Sequence, residues 1–465
     1  MTDVRSSARR ARSHETADVR QELGTERMEP SDPQGIGDGL GLFDAVAIGI
    51  GGMIGGAIFS VLGVTIQLAG HWAFVSIILA GALALVTAHA YAGLSRGSER
   101  PRGLYACLRR AGHPELVAVT TWLLILGYVI LLAIYALTFG EYAARFVGVG
   151  RIVARLAAIA VLGASWALNA RGRAGSLVTQ DVAVVGKIVC LLVIAGVGLL
   201  GWSSSRLTPL ASHEFAGVVA GAATIFVAYE GFELLSYDDD ELQDPRRTLP
   251  RALYLSIVVV GLVYVLVTVG AQMLVGDSVI VAHREVWLAV VGQRALGTAG
   301  LWLATATVLF ATSSAINATL FSTSRLVRDL SVARELPAGL GRSRRGVPAT
   351  GMWVLTVMAA GLAMAPGVTQ VLAFGSLTFL VAFALVNYLH VRSTDVGVER
   401  WLGRLGASAC LLTIGVLVAR LAAADRAVVA VVASCFASVA GLRALFKRRR
   451  LSHTMDTEGT SGSGH

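Results

Sequence analysis

The amino-acid sequence predicts an all-α polytopic membrane protein with about 12 transmembrane helices. Apolar residues fill 55% of its 465 positions before its 52 glycines are counted, and charged residues only 15%. Apolar runs of roughly 18 residues or more recur about a dozen times, each long enough to cross a ~30 Å hydrocarbon core as a helix. Arginines gather between the runs rather than along one polar face. Disorder is excluded, because it needs low hydrophobicity with high charge. A soluble enzyme is excluded as well, since soluble chains carry about 25% charged residues.

The elements follow in order. A polar, highly charged tail occupies 1–40 and holds no apolar h-region, so no signal peptide is read and the first span itself directs insertion. Spans are expected near 42–68, 72–95, 116–143, 152–169, 176–200 and 216–236. Six more are expected near 252–275, 298–324, 350–366, 369–391, 405–422 and 427–446. Only Pro366-Gly367 separates the ninth from the tenth, which leaves eleven spans as the alternative count. The polar, Arg-poor segment 276–297 reads as an external connection with a short amphipathic helix. The Gly/Ser-rich end of the tail 447–465 reads as disordered.

The formal net charge is +9, yet only two of the 39 basic residues are lysine and the arginines mark connections. Membrane topology explains that pattern and a nucleic-acid partner does not. Lys and Arg crowd the even-to-odd connections and the C-terminal tail, and are sparse in the odd-to-even ones. Both termini are therefore expected in the cytoplasm, with the chain in the cytoplasmic (inner) membrane. The basic connection from Arg325 through Arg342-Ser-Arg-Arg-Gly346 belongs to the same signal, with binding of anionic membrane lipid as its alternative. Cys107, Cys190, Cys410 and Cys435 are scattered, and no CxxC pair or His/Cys cluster appears. Neither a disulfide framework nor a metal or cofactor site is expected.

Three features inside the apolar runs could carry chemistry. Residues 49–56 read Gly-Ile-Gly-Gly-Met-Ile-Gly-Gly, and glycine costs about 1 kcal/mol at each helix-interior position. Either these glycines let neighbouring helices approach closely, or the helix unwinds there and bares N–H and C=O groups to a midplane ligand. The sixth run contains Phe226-Val-Ala-Tyr-Glu230-Gly231-Phe-Glu233, two carboxylates around a glycine. Such groups face a cavity or a partner, unless they lie near the cytoplasmic end and snorkel. Lys187 is the only lysine between the tails. It sits ~18 Å into its run by helical rise, close to the midplane. There it either exchanges a proton or tethers backbone carbonyls; Asp181 is too far along the helix to pair with it.

These residues resemble the amino acid–polyamine–organocation superfamily, the amino-acid permeases. Gly49 through Phe59 is similar to that family's first-helix signature. Ala90-Tyr-Ala-Gly-Leu-Ser-Arg96 with Pro101-Arg-Gly-Leu-Tyr105 resembles its second-helix end and following loop. Phe226–Glu233 with Asp244-Pro-Arg-Arg-Thr-Leu-Pro-Arg251 looks like its sixth helix and loop, and Ser313-Ser-Ala-Ile-Asn317 through Ser324-Arg325 like its eighth. The matches run in order from about 40 to 390, while the last two spans match only as hydrophobic segments.

The resemblance implies a five-plus-five inverted repeat with discontinuous helices 1 and 6. The transport core would be 41–392, with halves 41–200 and 215–392, followed by two additional helices within 393–446. It implies that a substrate carboxylate meets the N–H groups of Gly55, Gly56 and Ala57, and that an α-ammonium meets carbonyls around Ile50, Phe226 and Ala228. Half-helix termini favour those charges independently. Met53, Val227 and Glu230 complete the expected substrate site. Lys187 resembles the fifth-helix lysine that replaces a sodium ion in proton-coupled members, with Thr312 and Ser313 as its neighbours on the eighth helix. Gly93 replaces a frequent acid, and Ala57 a frequent glycine. Val227 stands where many members place an aromatic gate, so either Tyr229 or Phe226 takes that role or the cavity is wider.

The expectation is a secondary active transporter of an amino acid or close derivative, a small-molecule substrate, with the proton as coupling ion or with exchange of substrates. A membrane sensor that binds such a ligand without moving it is the rival. No nucleophile motif or metal spacing supports an enzyme, so no catalytic residue is named. No filter loop or ring of repeated residues supports a channel.

Overall fold

In a computed structural model the structure describes residues 40–96, 114–147, 150–171, 177–202, 215–237, 242–343, 348–364 and 368–424, with Tyr105, Leu108, Arg109, Ser434, Ala437 and Gly441 besides. Residues 1–39, most of the expected twelfth span, the junction Pro366-Gly367 and the tail 447–465 lie outside the described residues, as does the side chain of Asp181.

The first span is two helices, α1 (Leu42–Met53) and α2 (Ala57–Ala69), parted at Ile54–Gly56. Asp44 starts α1 by accepting the Gly41 N–H at 2.9 Å, a local cap for one of the unsatisfied first-turn donors. The second to fifth spans are α3 (Ala73–Arg96), α4 (Pro114–Val147), α5 (Arg151–Ala170) and α6 (Leu177–Leu200). The sixth begins as α7 (Phe215–Ile225), then tightens into 3-10 turns at Phe226–Tyr229 and Phe232–Tyr237. Between the turns Gly231 takes φ +116°, a conformation only glycine adopts without strain.

The seventh span is α8 (Pro245–Val275), with a proline in its first turn where the missing N–H costs nothing. The segment expected to carry one amphipathic helix carries α9 (Asp277–Ala282) and the first turns of α10 (Trp287–Val332). Gly297 at φ +63° divides α10, and the remainder is the eighth span. Helices α11 (Ala349–Ala363), α12 (Val368–Ser393) and α13 (Gly397–Ala424) supply the ninth to eleventh spans. Eight stretches among the described residues are long and apolar enough to cross a membrane, and α1, residues 184–200 and α11 are shorter apolar helices. The chain is an all-α, multi-pass membrane protein.

Burial sorts these helices. In α12, 83% of the most apolar window is buried and in α13 only 17%, so α12 is an inner helix and α13 faces lipid. Helix α4 packs against α5, α10 and α12, and α8 against α1, α3 and α6. Exposed apolar side chains such as Ile152, Leu156, Leu262, Met358, Leu411 and Leu412 stand on α5, α8, α11 and α13. In hydrocarbon such a surface costs nothing. Gln243 donates its N–H to Leu40 O at 2.9 Å, so the chain entering the first span is tied to the chain leaving the sixth.

Candidate functional site

Both breaks are buried, and they touch. A Cβ on Gly52 would sit 2.8 Å from Gly231 O, and one on Gly231 only 2.6 Å from Gly52 C. The glycines therefore serve both purposes at once: the helix unwinds, and backbone meets backbone. Gly55 and Gly56 give the same close approach to other spans. A Cβ on Gly55 would lie 2.7 Å from Ala315 Cβ and from Tyr135 Cζ, and one on Gly56 2.9 Å from Thr312 Cγ2.

Unwinding a helix frees carbonyls that hydrocarbon cannot satisfy, and neighbouring side chains collect them here. The Lys187 ammonium donates to Gly51 O at 3.0 Å and Ile54 O at 2.8 Å. The Tyr135 hydroxyl donates to Gly52 O at 3.1 Å. The Tyr264 hydroxyl lies 2.8 Å from Met53 O and 3.0 Å from Ala228 O, so one proton serves a carbonyl in each break. Thr138 Oγ1 stands 3.3 Å from Gly56 O. Ile50 O is taken by the backbone N–H of Ile54 at 2.8 Å.

The sixth-span break adds a carboxylate of its own to these borrowed hydroxyls. Glu233 accepts the Gly231 N–H at 3.0 Å through one oxygen and the Tyr128 hydroxyl at 2.9 Å through the other. Tyr128 and Tyr237 hydroxyls are 3.1 Å apart. Glu230 is fully buried, and its carboxyl lies against that of Glu233, with no other hydrogen-bond partner for its oxygens among the described residues. Its carboxyl is close enough to that of Glu233 for the two to repel when both are charged.

The predicted residues are thus largely brought together, with two differences. Thr312 and Ser313 do not bond Lys187: their hydroxyls turn back to Val308 O at 2.7 Å and Leu309 O at 2.7 Å. The lysine therefore ties the fifth span to the first by hydrogen bonds, and not the first to the eighth. Tyr229 does not hang over the break as a free gate. Its hydroxyl donates to Ile77 O at 3.0 Å and its ring meets Tyr264 edge-on at 5.7 Å. Phe226 packs edge-on against Phe383 at 5.8 Å, and Val227 faces Gly375.

Sequence reading missed Tyr128, Tyr135 and Tyr264. The usable signal was a tyrosine deep in an apolar run, because its hydroxyl must find a partner there. Among the described residues the group with metal-ligand spacing is His89, His390 and Glu399, which includes no residue of either break.

Two discontinuous helices in contact at mid-span, with the N-terminus of one half-helix and freed carbonyls around the gap, are an arrangement found in membrane transporters. The comparisons agree. Residues 40–443 match the amino acid permease family, and the chain belongs to it. It is similar to the inner membrane transport protein YbaT of Escherichia coli strain K12, 27% identical over 76% of this chain and 83% of that one. It is similar also to the methylthioribose transporter of Bacillus subtilis strain 168, 28% identical over 70% and 74%. The human b(0,+)-type amino acid transporter 1 is 31% identical over 62% and 61%. The protein is a transporter of an amino acid or derivative, not an enzyme.

Proposed function

We propose that this permease moves an amino acid or close derivative across the cytoplasmic membrane by alternating access, driven by the proton gradient. The observation that carries the reading is the contact of the two breaks. The turn at Gly55-Gly56 opens α2 beside the freed carbonyls, and Gly52 brings the sixth-span break against it at Gly231. A half-helix N-terminus attracts a carboxylate. The Met53 and Ala228 carbonyls, with Glu230, attract an ammonium, and Ile50, Phe226 and Val227 line the same turns. Lys187 bonded to Gly51 O and Ile54 O stands as a bound cation would. Deprotonation removes its charge and so loosens the first span, which couples a proton to movement. On this reading 41–392 is the transport core with halves 41–200 and 215–392, 393–446 adds two peripheral helices, and both termini are cytoplasmic.

Proteoliposomes carrying the purified protein should accumulate amino-acid substrate when an inward proton gradient is imposed. A thermal-shift panel of amino acids, polyamines and methylthioribose should identify the substrate first, because a ligand of the folded state stabilises it. Gly56→Leu should abolish that shift while the protein still inserts and purifies as a single species. A ligand that binds without being accumulated would make the protein a sensor. Uptake only against preloaded substrate would make it an exchanger. Cysteines at Ser343 and Ser393, both exposed, should label from the cytoplasm, and one at Ser278 from outside; labelling of all three from one side breaks the topology.

A further inference from the structure

At the end of the bundle where α3 and α12 finish and α8 and α13 begin, three ligand-type side chains converge from three spans. His89 (α3) Nε2 and His390 (α12) Nε2 each lie 3.1 Å from the same oxygen, Oε2 of Glu399 (α13). All three donor atoms fall within 4.8 Å of one another. We propose that His89, His390 and Glu399 form a site for one divalent transition-metal ion of the zinc type, which staples the second, tenth and eleventh spans together.

The geometry suits that ion. Zinc binds imidazole nitrogen and carboxylate oxygen at about 2.0–2.2 Å in tetrahedral array, which sets neighbouring donor atoms about 3.3 Å apart. The two 3.1 Å separations need widening by only a few tenths of an ångström to accept it. Two imidazoles and a carboxylate are borderline-soft ligands, favouring zinc, cobalt or nickel over calcium or magnesium. One histidine has an outer partner as well: His89 Nδ1 is 2.8 Å from the Tyr254 hydroxyl on α8, whereas His390 Nδ1 makes no hydrogen bond among the described residues. With Nδ1–H donated to that oxygen, the lone pair of Nε2 points to the ion. Without an ion, the Glu399 carboxylate accepts both Nε2–H groups.

The fold also makes room and leaves a path. A Cβ on Gly93 would collide with Cε1 of His390, so the missing side chain on α3 is what admits the ring. His390 is 2% exposed, while His89 and Glu399 keep 20% and 22% of their side-chain surface open. An ion would enter along that edge and leave the fourth position for water.

The test is metal binding by the full-length protein, purified without a histidine tag. Titrated with zinc chloride, the wild type should bind one zinc per chain and gain thermal stability, while magnesium and calcium leave it unchanged. His390→Ala and Glu399→Gln should each weaken zinc binding by about tenfold or more. Gly93→Val, which removes no ligand, should weaken it by displacing the His390 ring. Cobalt chloride added to the wild type should give the intense visible bands of a tetrahedral site, and this arm needs no variant to fold. Absence of a zinc-dependent stabilisation, weak octahedral cobalt bands, or zinc affinity unchanged in His390→Ala would each overturn the site and leave a hydrogen-bonded triad.

Discussion

Between Met53 and Ala57 the first span carries no polar side chain, whereas the sixth carries Tyr229, Glu230, Glu233, Ser236 and Tyr237 across its 3-10 turns. Both stretches face the same problem, backbone released from a helix inside hydrocarbon. The first borrows its donors: Lys187 from the fifth span, Tyr135 and Thr138 from the third, Tyr264 from the seventh. The sixth borrows hydroxyls too, Tyr264 for Ala228 O and Tyr128 for Glu233, but supplies its own acceptor, with Glu233 closing on the Gly231 N–H. A further loan to the sixth span comes at the end of α7, where Ser376 on the tenth span donates to Thr224 O at 3.0 Å. Bare backbone makes a break that its neighbours control. A break with its own carboxylate also satisfies one of its N–H groups from within.

The contrast can be attacked where the two breaks meet. Gly231→Val adds a branched side chain at φ +116° and drives its Cβ into Gly52. Strain and overpacking each cost about 1–3 kcal/mol, so the variant should lose roughly 3 kcal/mol or more and its substrate binding. Thermal unfolding of the purified variant measures the first and the ligand shift the second. A stable variant that binds substrate would mean the two breaks part freely.

The borrowed donors come next. Lys187→Met keeps the stem and strands the carbonyls of Gly51 and Ile54. Losing a charged donor from buried acceptors costs about 1.5–3 kcal/mol, and pH-driven uptake should vanish although substrate still binds. Uptake with the wild-type pH dependence would reduce the lysine to a tether and move coupling to Glu230 or Glu233. Ser376→Ala should do least, about 0.6 kcal/mol, the average for a hydrogen bond between spans. A loss as large as that of Lys187→Met would show that the sixth break leans on its neighbours as heavily as the first.

Much of this was legible in the sequence, for definite reasons. A glycine cluster in an apolar run and a lone lysine at mid-depth are both costly, so each announces a partner. The tyrosines were not legible, because an aromatic residue in an apolar run reads as packing until a carbonyl is found beside its hydroxyl. The partners of the Thr312 and Ser313 hydroxyls were not legible either, because a helical hydroxyl can turn back to the carbonyl four residues earlier, as both do. His89, His390 and Glu399 are brought together by three different spans, and no spacing rule reaches across that distance.

The contact of Gly52 with Gly231 has a consequence for descent. Neither position can gain even one carbon unless the other's backbone retreats, so no single substitution at either site is a small step. Drift can rewrite the lipid-facing residues of α5 or α13 one at a time, because each is read by solvent alone. On that geometry the glycine pair should change together, as one character written in two places. A lineage that alters it must remodel the junction of the two breaks in a single move or keep both glycines.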